Sequence, residues 1–406
     1  MRILALTTSY PRWSRDTAGV FIHAMLREGV RRFGWEATVL APHAPGLARR
    51  EVLDGVDVRR FLYAWPEGLE RLCYDGGIPA ALRARPWTGV LVGPLLGAFT
   101  MAARRLAHEA DIIHAHWTVI GLVGLWAKAR PGQPMVVTSH GSDLSLAGGS
   151  RALRAVNRRV LARADVLAIV GSRQRALAEA LGCPADRIES IPYGVQDCPS
   201  SQGPLGAPLP DRRFDVVFVG RLTDEKRPGL LIEALAALAR AGKPLRACIV
   251  GDGPLAEALR EQVQREGLGA KVELAGAVPH ERVMELMRAS RCLVLVSQRE
   301  GLPNVIREAM SCGLPVVATD VGSVSDVVHH EQTGLLLGAD PSVAEVAASI
   351  EAVLDRPDRS AGMASAAREL IMKEYTLTGC VERHDRLYRQ LLAGPKDRQG
   401  DEGAPA

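Results

Sequence analysis

The chain has no Asp-x-Asp anywhere, no Cys-x-x-Cys, and only six lysines among fifty basic residues. Without Asp-x-Asp the chain lacks the carboxylate pattern that commonly holds a divalent cation against a diphosphate, and a site without metal is expected. The seven cysteines, at 73, 183, 198, 248, 292, 312 and 380, are odd in number. That count and spacing exclude a fully paired disulfide framework and point to a reducing compartment. Cys248 and Cys292 lie in apolar strand-like runs and read as core thiols. Also missing is any concentration of one charge. Charged residues make up 24% of the chain with a net charge of +4, where a nucleic-acid binder would carry a basic stripe. Nucleic acid is therefore excluded as a partner. The opening "MRILALTTSYPRWSRD" is interrupted by Ser, Pro and Arg too early to be a signal peptide. The longest apolar run, Trp87 to Ala103, is seventeen residues with a central Gly-Pro. That is marginal for a membrane span and reads as a buried or surface-packed helix. A cytoplasmic protein is expected, with peripheral contact at the inner membrane face compatible with that run.

What is present is a regular alternation. At 406 residues and 47% hydrophobic content the chain is long enough for two or three domains. "RILALTTS", "EATVLAP", "DIIHAH", "MVVTSH" and "VLAIVGS" read as strands, interleaved with helical patterns such as "GVFIHAMLREGVRRF". The alternation stops at Gln196 to Arg213, rich in Pro, Gly and Ser, which reads as a linker. It then restarts with "DVVFVG", "RACIVG", "KVELAG", "CLVLVS" and "PVVATD". The class is α/β, two Rossmann-like domains built from βαβ units. The expected bounds are 1–196, a linker at 197–213, a second domain at 214–375, and a disordered tail at 394–406. In such sheets ligands bind beyond the carboxyl ends of the strands, so the residues after each strand are the candidates.

"SQREGLPNVIREAMSCGLPVVATDVGS" follows the strand "CLVLVS". Pro303 suits the first turn of a helix and Gly313 its end. Glu300 then lies on the strand-to-helix loop, and Asn304 and Glu308, four apart, share a helix face. The first free N–H groups, near Asn304 and Val305, can bind an anion, and a carboxylate here can accept from sugar or ribose hydroxyls. In "FVGRLTDEKRPG", Arg221 follows a strand and Lys226 precedes Pro228, a second helix start, giving two cations at a phosphate-competent edge. A scarce lysine at that point reads as a compact point charge.

"IVGDGPLAEAL" holds Gly251-x-Gly253-x-x-Ala256 with Glu273 about twenty residues on, a weak dinucleotide fingerprint. It keeps an NAD-dependent oxidoreductase as an alternative. In the first half, "VVTSHGSDLS" puts His140 and Asp143 after a strand, and "DIIHAHW" holds His114 and His116. The His-x-His is expected to send one ring to each face of its strand, so no metal is assigned there. His140, followed by Gly141, is the stronger functional candidate, and Gly19 stands at a loop-to-helix junction after the first strand, where backbone can approach a ligand.

Taken together, "EGLPNVIREAMSCGLPVVATDVG", "VGRLTDEKRP", "IVGDGPL" and the "HGSD" after a strand resemble the retaining glycosyltransferases of family 4. The resemblance implies the GT-B fold: two Rossmann-like domains with parallel sheets facing a central cleft, and a last helix, about 376–393, crossing back to the first domain. It implies a nucleotide-diphosphate sugar as donor substrate rather than a cofactor, and a saccharide or lipid-linked acceptor on the first domain. By the same resemblance Arg221 and Lys226, with Gly19 and backbone at Asn304 and Val305, hold the diphosphate and sugar. Glu308 holds the ribose, Val278 lies near the base, Glu300 binds the sugar near the reacting centre, and His140 reaches the sugar from the first domain. The family's usual paired glycine reads Ala18-Gly19 here, and "IPYGVQ" ends in Gln196 where Asp is usual. A non-catalytic sugar-nucleotide-binding protein would keep Glu308 and Lys226 but need no turnover, which separates it from a transferase.

Overall fold

A computed structural model describes residues 1–13, 16, 18–74, 77–146, 149–195 and 212–394. Most of the expected linker and of the expected tail lies outside the described residues. Two units form: Met1–Gly194 together with the chain from Leu377 onward, and Val195–Thr376.

The first unit carries β1 (Arg2–Leu6), β2 (Glu36–Pro42), β3 (Arg50–Leu53), β4 (Val56–Phe61), β5 (Ile112–His116), β6 (Met135–Ser139), β7 (Val166–Ile169) and β8 (Ile188–Ser190). They form one sheet in the order β3-β4-β2-β1-β5-β6-β7-β8, parallel except for the β3–β4 pair. β5, β6 and β7 are buried along their whole length, as expected of strands covered by helices on both faces. The β3–β4 hairpin turns at Asp54-Gly55, both with positive φ (48° and 83°). An Asp-Gly pair between short runs is a strong hairpin signal. The sequence reading passed over it because both strands are rich in charged residues.

The second unit carries β9 (Phe214–Val219), β10 (Ala247–Val250), β11 (Val272–Gly276), β12 (Ser290–Leu295), β13 (Val316–Thr319) and β14 (Leu335–Leu337). Its sheet is parallel throughout, in the order β11-β10-β9-β12-β13-β14. All ten segments read as strands form strands; β3, β4, β8 and β14 are additions. Cys248 and Cys292 are fully buried core thiols, pushed by desolvation up to about 11 and about 12.

Helix Leu377–Ala393 packs on the first unit. Its Leu377, Cys380, Val381 and Tyr388 share a core with Ile22, Met25 and Trp35, and the Trp35 indole N–H donates to Asp385 at 2.9 Å. The apolar run has a different register from the one expected. Residues 86–91 form a 3-10 turn, and the helix is Val92–Ala107. Gly93-Pro94 thereby falls in its first turn, where a missing N–H loses no helical bond. Leu95, Phe99, Ala103 and Ala107, four apart, are the buried stripe. By length and composition Pro86–Ala107 could cross a membrane, with mean hydropathy 1.3, although only 28% of its most apolar window is buried within the protein.

Candidate functional site

In the second sheet the strand order reverses beside β9: two crossovers lead outward to β10 and β11, and the third returns past β9 to β12. The loops after β9 and β12 therefore lie side by side, the arrangement that opens a ligand crevice in α/β sheets. The residues singled out from sequence cluster there. After β9 comes Arg221, then a short 3-10 turn Asp224–Lys226, then helix Pro228–Arg240. After β12 comes Glu300, then Pro303 as N-cap of helix Asn304–Ser311. Lys226 Nζ meets Glu300 Oε1 at 2.5 Å, and the Glu300 side chain is only 7% exposed. The sequence reading gave these two residues separate jobs; the structure makes them one ion pair.

Around that pair the edge is rich in groups ready for a ligand. Arg221 is exposed, and its guanidinium makes no hydrogen bond or ion pair among the described residues. The N–H groups of the first turn at Asn304 and Val305 have no acceptor within the helix. Asn304 Oδ1 accepts from Arg307, which is fully buried. Glu308, half-buried one turn on, has no hydrogen bond to its carboxylate among the described residues. Desolvation pushes that carboxyl above its ordinary range, with the charges of His280 and Arg307 pulling the other way. His280 opens the helix after β11, two residues beyond Val278, so Val278 and Glu308 belong to one neighbourhood.

Two supports escaped sequence reading. Arg227 holds a left-handed backbone (φ 47°) between the turn and the helix. Its guanidinium donates to the carbonyls of Val296 (2.7 Å), Ser297 (3.3 Å) and Ala339 (2.8 Å) and to Asp340 (2.7 Å). The Gln298 N–H donates to the Glu225 carbonyl at 2.7 Å, and Arg299 pairs with the Glu225 carboxylate. Together these contacts fix the Glu300 loop against the Lys226 turn. A basic residue beside a lysine gave no sequence signal, because its target is backbone that only the fold brings near.

The glycine motif is explained without a dinucleotide. A Cβ on Gly251 (φ 136°) would lie 1.8 Å from the Gly220 carbonyl oxygen, and one on Gly253 would lie 2.5 Å from that of Leu222. Both glycines are needed for close packing against the β9 loop. Glu273 sits inside β11 and pairs with Arg213 at 2.6 Å. The observation that kept the oxidoreductase alternative is thereby accounted for.

Gly19 and His140 belong to the first unit. Gly19 (φ 63°) is the N-cap of helix Val20–Phe33, and its missing Cβ leaves room for the Ser9 carbonyl, so the close approach there is made by the chain itself. His140 follows β6. Trp117 lies 4.3 Å from its ring, Phe21 5.3 Å and Tyr193 5.4 Å, the last nearly parallel. Asp143 accepts from Ser139 Oγ (2.8 Å), from the N–H groups of His140 (3.2 Å) and Gly141 (3.1 Å), and from that of Thr118 (2.8 Å), pinning both strand ends. Burial pushes His140 down to about 4, partly opposed by Asp143. Trp117 holds a positive φ of 69° unusual for a side chain of its size, a strain that clusters at functional sites.

The expected geometry of His114 and His116 is overturned. Their ring centroids are 4.3 Å apart, because residues two apart on a strand share a face. Both are buried neutral: His114 bonds Tyr388 (2.6 Å) and Thr138 (2.7 Å), and His116 bonds Tyr193 (3.0 Å). Among the described residues no group of three or more His, Cys, Asp or Glu is placed to hold a metal ion.

Residues 17–194 match the model of the glycosyl transferase 4-like domain, and residues 206–370 that of the glycosyl transferases group 1. The D-inositol 3-phosphate glycosyltransferase of Gordonia bronchialis is 32% identical over 71% of this chain and 68% of its own. D-inositol 3-phosphate glycosyltransferase 1 of Catenulispora acidiphila is 30% identical over 94% and 93%. The chain belongs to the GT-B glycosyltransferases. Solved structures with the fold of this glycosyltransferase include sucrose-phosphate synthase from Thermosynechococcus elongatus (TM-score 0.76, 22% identity, 97% of this chain and 99% of that one). Anabaena HepE in complex with UDP-glucose is another (TM-score 0.70, 22% identity, 96% and 100%).

Proposed function

We propose that this glycosyltransferase is a retaining, metal-independent hexosyltransferase. It moves a hexosyl residue from a nucleotide-diphosphate sugar to a saccharide or lipid-linked acceptor in cell-surface glycan or glycolipid assembly. The Lys226–Glu300 pair beside the unpaired guanidinium of Arg221 carries this reading. As the bond from the sugar to the diphosphate breaks, negative charge grows on the leaving phosphate and positive charge on the sugar. Arg221, Lys226 and the first turn of helix Asn304–Ser311 meet the first. Glu300 faces the second, and Glu308 holds the ribose hydroxyls. The acceptor hydroxyl bonds the anomeric carbon on the face the diphosphate leaves, and passes its proton to an oxygen of the departing diphosphate. His140, held neutral by burial at the carboxyl edge of the first sheet, is the first unit's own sugar-binding group in this reading. The fixed cations stand in for a metal, and the chain has no Asp-x-Asp to hold one. HepE was solved with UDP-glucose, which makes UDP-linked hexoses the first donors to try.

The test is nucleoside-diphosphate release from a panel of UDP- and GDP-linked hexoses, with and without acceptor, in excess EDTA. Product configuration is read from its anomeric proton coupling. Acceptor-dependent release that survives EDTA and gives a product with the donor's configuration is expected. An inverted product refutes retention; loss in EDTA rescued by magnesium or manganese refutes metal independence. Donor binding without turnover leaves a sugar-nucleotide-binding protein.

A further inference from the structure

The crossover from β4 to β5 spans residues 62–111. Among the described residues, five of the eleven exposed large hydrophobic side chains fall in it: Trp65, Leu69, Trp87, Val90 and Met101. Trp65 is 80% exposed and Val90 74%. The crossover is nevertheless well anchored from beneath. Phe61 and Phe99 stack at 4.5 Å, and Leu72 and Tyr74 share a core with Leu91 and Leu95. The apolar side chains thus stand on a packed layer and point away from it.

The exposed charge of this crossover is mainly basic. Arg71, Arg83, Arg85, Arg104 and Arg105 are exposed, and none makes an ion pair among the described residues. The described carboxylates of 62–111 are Glu67, half-exposed, Glu109, exposed, Asp111, paired with Arg2 at 2.8 Å, and Glu70, buried against His43 at 2.6 Å. Exposed Trp interleaved with unpaired Arg is the composition that sits at a membrane–water interface: an indole prefers the headgroup level, and a guanidinium is drawn to anionic headgroups. A protein partner would more often meet a face of mixed charge.

The topology places the face. β4 and β5 both run in the parallel part of the sheet, so the crossover leaves β4 at the carboxyl edge that holds Trp117 and His140. Helix Val92–Ala107 then runs back toward the amino end of β5. Its amino end, with Trp87 and Val90, therefore lies toward the ligand edge.

We infer that this face docks on an anionic lipid surface, with Trp65, Trp87 and Val90 entering the boundary between headgroups and acyl chains and the flanking arginines on lipid phosphates. Docking in this way presents the carboxyl edge of the first sheet to a lipid-linked acceptor; that consequence rests on the transferase reading, while the docking itself does not.

The test is flotation of the full chain with vesicles of phosphatidylcholine alone and of phosphatidylcholine with phosphatidylglycerol. Binding to the anionic vesicles, weakening as salt rises, is expected. Arg83→Gln with Arg85→Gln should lower partitioning about fivefold per arginine. Trp87→Ser with Val90→Ser should lower it about tenfold or more at any salt. Circular dichroism melts of both variants check that these surface changes leave the fold intact. No flotation of the wild type at low salt overturns the proposal, as does equal flotation of folded variants. A concentration-dependent dimer that the Trp87 and Val90 changes dissolve also overturns it, because a second copy is then the occupant. Nucleotide release measured on the same samples separates the two readings. Turnover without vesicle binding sinks the docking alone, and vesicle binding without turnover sinks the transferase reading alone.

Discussion

Replacing Lys226 with Ala strands the Glu300 carboxylate. That side chain is only 7% exposed, so water replaces the ammonium 2.5 Å away only in part. Removing one partner of a fully buried pair costs about 3–5 kcal/mol. Lys226 is 23% exposed and its end of the pair still meets solvent, so a loss of about 2 kcal/mol is the working value. For a unit of this size each kcal/mol moves the melting temperature by about 2–4 °C, giving a fall of about 6 °C. The charge is the cause, so the double variant Lys226→Ala/Glu300→Gln should recover much of the loss: a neutral amide is cheaper to bury than an unpaired carboxylate. Activity should move differently. Both variants lose the cation that the proposed mechanism sets against the leaving phosphate, and on that proposal both should turn over about a hundredfold more slowly or worse. Differential scanning fluorimetry and nucleotide release on the same preparations check this. A Lys226→Ala protein as stable as wild type, or a double variant less stable than the single one, would refute the argument that the pair is a coupled, desolvated unit.

Glu308→Gln should separate stability from binding. Its carboxyl is raised on folding, so the stability tied to it is present in full below the ordinary carboxylate range and is lost as pH rises through the raised value. At pH 7 the amide variant should therefore melt higher than wild type, the two converging in acid, while calorimetry shows nucleoside diphosphate binding about tenfold weaker or more. In the first unit, burial depresses His114, His116, His140 and His384, the last two to about 4. Unfolding frees four imidazoles to take up protons near pH 6.5, so stability should fall as pH drops from there toward about 4. All six tryptophans (13, 35, 65, 87, 117 and 126) belong to this unit, so their fluorescence should report that acid transition while the second unit stays silent. Acid resistance of this signal down to pH 4 would show that the histidines are not held neutral.

The sequence by itself determined the ten strands that lie in mostly apolar runs, because a strand covered by helices reads as a short run rich in apolar residues, with any buried polar side chain needing a partner. It also determined the order of strand, loop and helix that puts Arg221, Lys226, Glu300 and Glu308 at strand ends. The break at Pro303 and the glycine at 313 fixed the short helix between them, through constraints that act within a few residues. The charged hairpin at Asp54-Gly55 and the slipped start of helix Val92–Ala107 were local too, but their signals competed with stronger apolar ones. Only the tertiary structure decided that Lys226 and Glu300, 74 residues apart, share one ion pair. It alone brought Arg227 to the carbonyls ending β12, filled the space beside Gly251 with another loop, and set Trp117 and Tyr193 around His140. Each of these depends on which strands become neighbours. That choice is made by the packing of the whole sheet and leaves no mark in the spacing along the chain.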